Sequence, residues 1–266
     1  MIKKTQTKVI EKKLKEKKII IALMAVFICV AGFSGYKIIT IMQDYNKSVT
    51  EYEGISKEMV KKPENTTPGA AVEKSSYLEI NYAGLKEKNS DFVCWLDIPG
   101  TNISYPVVQA SNNNEYLHKT FEGQYVYAGA LFMDYRNNSD FSDYNTIIYG
   151  HHMNNNTMFA QLDLYWRESF GKENDKFYIY TDKKVYVYQV YAFINTSSTS
   201  YAYTSYFPNK QDYADYLNKL KTEEYYDMGI TADTSKRVVS LSTCQGQNTG
   251  KRYVLIGMLD KVVNLY

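Results

Sequence analysis

Near its C-terminal end the chain reads RVVSLSTCQGQNTGKRYVLIGML: a strand-like run ending on Cys244, a polar turn, and a second run opening near Arg252. A thiol at a strand end beside a loop is placed for access. If the two runs pair as a hairpin, Arg252 returns alongside Cys244, where a guanidinium favours a thiolate or holds a developing oxyanion. The plainer alternative is a buried structural thiol with Arg252 on a surface strand. A second run, NTIIYGHHMNNNTMF, carries an apolar strand to Gly150 and then delivers His151 and His152, two of three histidines in the chain. An imidazole at one strand terminus can meet a thiol at another and supply the acid and base of thiol acyl transfer. Neighbouring residues on a strand face opposite ways, so the two histidines do not suit one metal ion, and no nearby Cys or acid completes a spaced ligand set. His118, in a polar loop, is expected to be solvated.

Those residues need a scaffold of strands. Runs rich in β-branched and aromatic residues recur at 92–98, 103–109, 129–135, 146–150, 177–181, 185–195, 237–243 and 253–259. Within VYVYQVYAF the period-two alternation puts Val185, Val187, Gln189 and Tyr191 on one face and Tyr186, Tyr188, Val190 and Ala192 on the other. Helical spacing predicts segments over 78–88, 158–170 and 211–224, the last with Tyr213, Tyr216, Leu217 and Leu220 as a core stripe. Eight strands with few helices point to a mainly β barrel or sandwich. The 27 tyrosines read mostly as strand and rim residues.

The N-terminal part differs in kind. Residues 1–37 hold nine Lys against two Glu, whereas the remainder holds 22 basic and 27 acidic side chains. The sequence pI near 8.1 therefore reports the tail, and a basic nucleic-acid surface is not indicated. From Ile19 to Tyr36 eighteen residues pass without a charge, close to the roughly 20 that cross a bilayer, and the lysines ahead of them hold that end in the cytoplasm. The run exceeds the h-region of a cleaved signal peptide. The expected organisation is a basic cytoplasmic tail over 1–18, a membrane anchor over 19–42, a polar extracellular stalk over 43–75 broken by Pro63, Pro68 and Gly69, and an outer domain over 76–266.

Taken together, LSTC with an arginine eight positions on, preceded by a strand ending in YGHH, resembles the sortases, membrane-anchored cysteine transpeptidases of Gram-positive bacteria. The resemblance runs from NYAGLKEKNSDFVCWLDIPGTNISYPVVQ through the final strand, and GHHMNNNTMFAQL together with a helix through NKQDYADYLNKL is similar to class B. It implies an eight-stranded sortase-type barrel. It also makes Cys244 the nucleophile, His151 the general acid and base, and Arg252 the group that stabilises the oxyanion or places the substrate. Ser242 and Thr243 would border the substrate. The implied partners are surface proteins carrying a C-terminal sorting signal resembling NPxT, cleaved after Thr through a thioacyl enzyme, and an amine from a peptidoglycan precursor or a pilin. No metal or organic cofactor is implied. The turn QGQNTGK contains no acid to orient His151, which leaves Asp134 and Asp143 as candidates from other loops.

Papain-type peptidases place Cys before His, the reverse of the order here, and peptidoglycan-crosslinking transpeptidases have an SxGC core where this chain has Ser-Thr-Cys. A different class, a membrane-tethered binding or adhesion module, would not need a reactive Cys244. Three scattered cysteines make no disulfide framework: Cys29 reads as one more apolar residue of the membrane run, and Cys94, on a strand face with Phe92 and Leu96, is expected to be buried and free.

Overall fold

The computed structural model describes residues 2–63, 77–244 and 250–265, with side chains apart from those of residues 2–12 and Cys244. The chain divides into two units, Met1–Asn46 and Lys47–Tyr266. Helix α1 (Ile2–Met59) supplies the first and contributes its last turns to the second. It contains a window of mean hydropathy 2.4, unburied by protein, and is long and apolar enough to cross a membrane.

The second unit is built on a closed barrel. A two-residue pair, β1 (Val60–Lys61) and β2 (Glu79–Ile80), precedes α2 (Tyr82–Lys88). The barrel strands are β3 (Phe92–Asp97), β4 (Ser104–Val108), β5 (Leu131–Met133), β6 (Asn145–Tyr149), β7 (Lys176–Tyr180), β8 (Lys184–Ser197), β9 (Val238–Cys244) and β10 (Lys251–Asn264). They close in the order β10-β8-β7-β3-β4-β5-β6-β9. All eight runs predicted from alternation and β-branched content are strands, each displaced by a few residues at most except β10, which extends further. Closure removes free sheet edges and fills the interior with Val107, Leu131, Ile148, Val190, Leu241 and Leu255, each fully buried. Burying side chains of this size contributes about 1.5–3 kcal/mol apiece.

The predicted stripe of α4 (Lys210–Glu223) is core: Tyr213, Tyr216, Leu217 and Leu220 pack with Tyr191, Ile194, Val254 and Ile256. Asn209 starts this helix by accepting from the Asp212 amide at 2.9 Å. Helix 78–88 begins only at Tyr82, because Asn81 caps it through the Gly84 amide while 79–80 pair with 60–61. The helix expected over 158–170 is instead a 3-10 turn (Ala160–Trp166) and α3 (Glu168–Glu173), separated by Arg167 in an extended conformation. Fully buried Tyr165, donating to the Asn174 carbonyl at 2.8 Å, draws the chain off the helical path there.

The polar stalk expected over 43–75 is corrected in its first part. Up to Met59 it is the end of α1, and Ser48, Glu51, Tyr52, Ile55 and Met59, recurring with helical periodicity, form one buried face within the barrel unit. Residues 64–76, with Pro68 and Gly69, lie outside the described residues. Cys94 is buried and free as expected, its thiol pushed up by desolvation. Cys29 is exposed.

Candidate active site

Strand β9 decides the geometry. It runs parallel to β6, with Tyr149 level with Ser242, and antiparallel to β10, with Cys244 level with Arg252. The Gly150 amide donates to the Ser242 carbonyl at 3.1 Å, so the parallel ladder continues past the last paired residues of β6. Two steps beyond Tyr149 is His151; two steps beyond Ser242 is Cys244. With strands about 4.8 Å apart, that register extended by two residues puts His151 beside the backbone of Cys244, which pairs with Arg252 on its other side. Gly150 allows the approach, because a Cβ there would come within 2.4 Å of Leu131 and 2.7 Å of Phe159.

His151 is held from three sides. Its Nε2 lies 2.8 Å from the Leu117 carbonyl, which can only accept, so Nε2 carries a proton and Nδ1 is the basic atom of the neutral ring. His118 stacks on one side at 5.5 Å between centroids and 18°, and Tyr127 lies at 5.2 Å and 32°. Desolvation, aided by the charges of His118 and Arg252, lowers the imidazole below its ordinary value despite the opposing bond to Leu117. His118 is exposed, as expected of a residue in a polar loop, and its ring also stacks on Tyr127 and His151.

His152 faces elsewhere. Its Nε2 meets Asp163 at 2.7 Å, and that hydrogen bond raises its pKa against the effect of burial. An acid-histidine pair is therefore present beside the site without belonging to it. Of the two acids considered for His151, neither is bonded to it among the described residues. Asp143 binds the Asn137 and Asn138 amides. Fully buried Asp134 accepts from Arg136 Nε at 2.9 Å and Nη2 at 2.8 Å, from the Tyr149 hydroxyl at 2.9 Å, and from Asn113 at 3.1 Å. Burial would push this carboxyl up, but the Arg136, Tyr149 and Asn113 bonds outweigh it and hold it at about 2.

A cleft of about 710 Å³ is bounded by Leu117, Arg136, Tyr149, His151, Tyr203, Ser242, Thr243 and Arg252 among others. Ser242 and Tyr203 share a hydrogen bond at 2.8 Å, and Tyr203 stacks on Tyr149 at 6.1 Å, so the polar wall is continuous from Arg136 to β9. Beneath it, buried Asn145 donates to the Ala202 and Thr204 carbonyls and the Tyr216 hydroxyl and accepts from Ser240, fixing the turn that carries Tyr203. Among the described residues the buried Thr243 hydroxyl has no hydrogen-bond partner.

The structure thus brings His151, Arg252, Ser242 and Thr243 to one cleft with the backbone of Cys244. Sequence reasoning missed Leu117, Tyr127, Arg136, Tyr149 and Tyr203. Leu117 acts through its backbone carbonyl, for which its side chain gives no signal.

Residues 96–260 match the sortase domain family. The chain is 31% identical over 237 residues to sortase B of Staphylococcus aureus, a match covering 86% of this chain and 91% of that protein. It is 36% identical over 160 residues to sortase B of Listeria monocytogenes, covering 60% of this chain and 65% of the Listeria protein. Among solved structures, sortase B from Bacillus anthracis in complex with AAEK1 superposes with a TM-score of 0.70 at 27% identity, covering 83% of this chain and all of that one. A closed eight-stranded barrel of this connectivity, matched in sequence and structure, defines a cysteine transpeptidase of the sortase type. The chain belongs to the sortase family, and its relatives are of class B.

Proposed function

We propose that this sortase is anchored in the membrane by the apolar part of α1, with its N-terminus cytoplasmic and its barrel outside. There it cleaves an NPxT-like sorting signal after Thr and transfers the surface protein to a cell-wall amine. The observation that carries the site assignment is the register that flanks Cys244 with His151 and Arg252.

In this reading His151 Nδ1 takes the proton of the Cys244 thiol, and the thiolate attacks the threonine carbonyl. Arg252 balances the oxyanion charge that develops. When the tetrahedral intermediate collapses, the C–N bond breaks and His151 returns the proton to the departing amine, leaving a thioester on Cys244. The acceptor amine attacks that thioester and gives its proton to Nδ1; collapse forms the new amide and releases the thiol. A thioester keeps acyl reactivity, so an amine can compete with water. Ser242 and Thr243, which line the cleft, border the peptide.

The test incubates the detergent-solubilised full chain with fluorogenic NPxT and LPxT peptides and an amine acceptor, beside Cys244→Ala. Cleavage after Thr, a thioester on Cys244 by mass spectrometry, and loss of both in Cys244→Ala are expected. No cleavage of either peptide type would contradict the reading.

A further inference from the structure

The loop over 116–129 holds His151, and it is itself held by the last turns of α1. Leu117 offers the carbonyl for Nε2, His118 stacks on the ring and Tyr127 lies tilted against it. The loop folds back on itself through the Val126 amide to the His118 carbonyl and the Ala130 amide to the Tyr116 carbonyl. Gly129 closes it at φ 57°, where a Cβ would fall 2.4 Å from the Leu117 carbonyl oxygen, the same atom that receives Nε2. Adjacent α1 residues grip the middle and the end of this loop. Glu51 accepts from the Thr120 hydroxyl at 2.7 Å through one oxygen and from the Glu122 amide at 2.9 Å through the other. The Tyr52 hydroxyl receives the Phe121 amide at 3.3 Å and donates to the Gly129 carbonyl at 2.8 Å. Both side chains are buried, so water does not replace these bonds if they are lost.

We propose that Glu51 and Tyr52 are positioning residues for His151, acting through the 116–129 loop to fix the Leu117 carbonyl and thereby the Nε2–H tautomer. The inference rests on the assignment of His151 as acid and base, and deepens it. It makes the end of the N-terminal helix part of the catalytic apparatus, although neither residue lines the cleft. A barrel beginning after the helix would retain every cleft residue and still lose the correct imidazole. Nitrogen basicity would then be divided between Nδ1 and Nε2, and only the first is free to meet the thiol.

The test uses the full chain in detergent with ¹⁵N-labelled histidine. Two-dimensional NMR reads the His151 tautomer, and peptide cleavage is followed from pH 5 to 9 for the wild type, Tyr52→Phe, Glu51→Gln and Glu51→Ala. In the wild type the Nε2–H form is expected. Tyr52→Phe and Glu51→Ala are expected to give a tautomer mixture and a roughly tenfold fall in kcat with KM within about twofold, corresponding to about 1.4 kcal/mol. Glu51→Gln, which keeps an acceptor oxygen, recovers much of the rate. A pure Nε2–H tautomer in folded Tyr52→Phe and Glu51→Ala would overturn the proposal, as would losses that scale only with the unfolded fraction measured by circular dichroism. The tautomer is read without turnover, so an inactive wild type with the expected tautomer shift in the variants would fault the assigned activity and leave the positioning intact.

Discussion

His151 and His152 are neighbours in sequence and differ in almost every physical respect. His152 has a carboxylate partner, Asp163 at 2.7 Å, and a raised pKa, the features usually sought in a catalytic histidine. His151 has a backbone carbonyl, two aromatic neighbours and a lowered pKa. Yet strand register sets His151 beside Cys244 and Arg252, while His152 turns to the 3-10 segment that follows. A local charge pair says how a histidine titrates; the pairing of distant strands says what it can react with. The neutral, tautomer-fixed His151 suits proton exchange with a thiol, whereas the paired His152 ties the loop after β6 to Ala160–Trp166.

The contrast can be broken by substitution. His151→Ala is expected to lower kcat/KM by about 10²–10⁴-fold, the usual cost of a lost acid-base group, while His152→Ala stays within a few-fold; steady-state peptide cleavage compares them. Reversal of that order would exchange the roles. Arg252→Ala is expected to cost about 10²–10³-fold in kcat with a smaller effect on KM, as for a lost oxyanion donor. Equal losses in binding alone would make Arg252 a substrate clamp.

Gly129→Ala sharpens the account of the cradle. The new Cβ would strain a left-handed backbone and press on the Leu117 carbonyl, so we expect a loss of about 1–3 kcal/mol in chemical denaturation together with reduced activity. The smallest effect concerns His152. Its folded pKa is raised, so the stability it contributes is fully present below the unfolded value near 6.5 and is lost as pH rises through the folded value. Asp163 is nearly half exposed, which keeps the contribution under about 1 kcal/mol. Asp163→Asn should therefore lower the melting temperature more at pH 6 than at pH 9, and an equal shift at both would deny the ion pair any role.

Much of this molecule was legible in its sequence because strands advertise themselves. The alternation in VYVYQVYAF and the apolar runs around Cys94 and Ile147 report burial on sheet faces, and all eight strands followed from such local signals. What stayed hidden depended on distant pairing. The parallel contact of β6 with β9 joins residues almost a hundred positions apart, and no local pattern announces it. The Leu117 carbonyl was invisible because every residue owns one. The end of α1 was misread as stalk because its buried face includes Ser48 and Glu51, polar residues whose burial is tolerated only through partners such as Thr120. Cys244, His151 and Arg252 were singled out through a resemblance in which rare residue types occupy strand ends.

The most direct measurement is a cross-link. His151→Cys and, separately, His152→Cys would be oxidised mildly in the full chain and digested for mass spectrometry, since a disulfide needs Cα atoms within about 7 Å. Tyr149 pairs with Ser242 and the Gly150 amide bonds the Ser242 carbonyl, so the ladder extended by two residues predicts a disulfide joining position 151 to Cys244 and none from position 152. A bridge from position 152 to Cys244, with position 151 unreacted, would contradict the register on which the site is built.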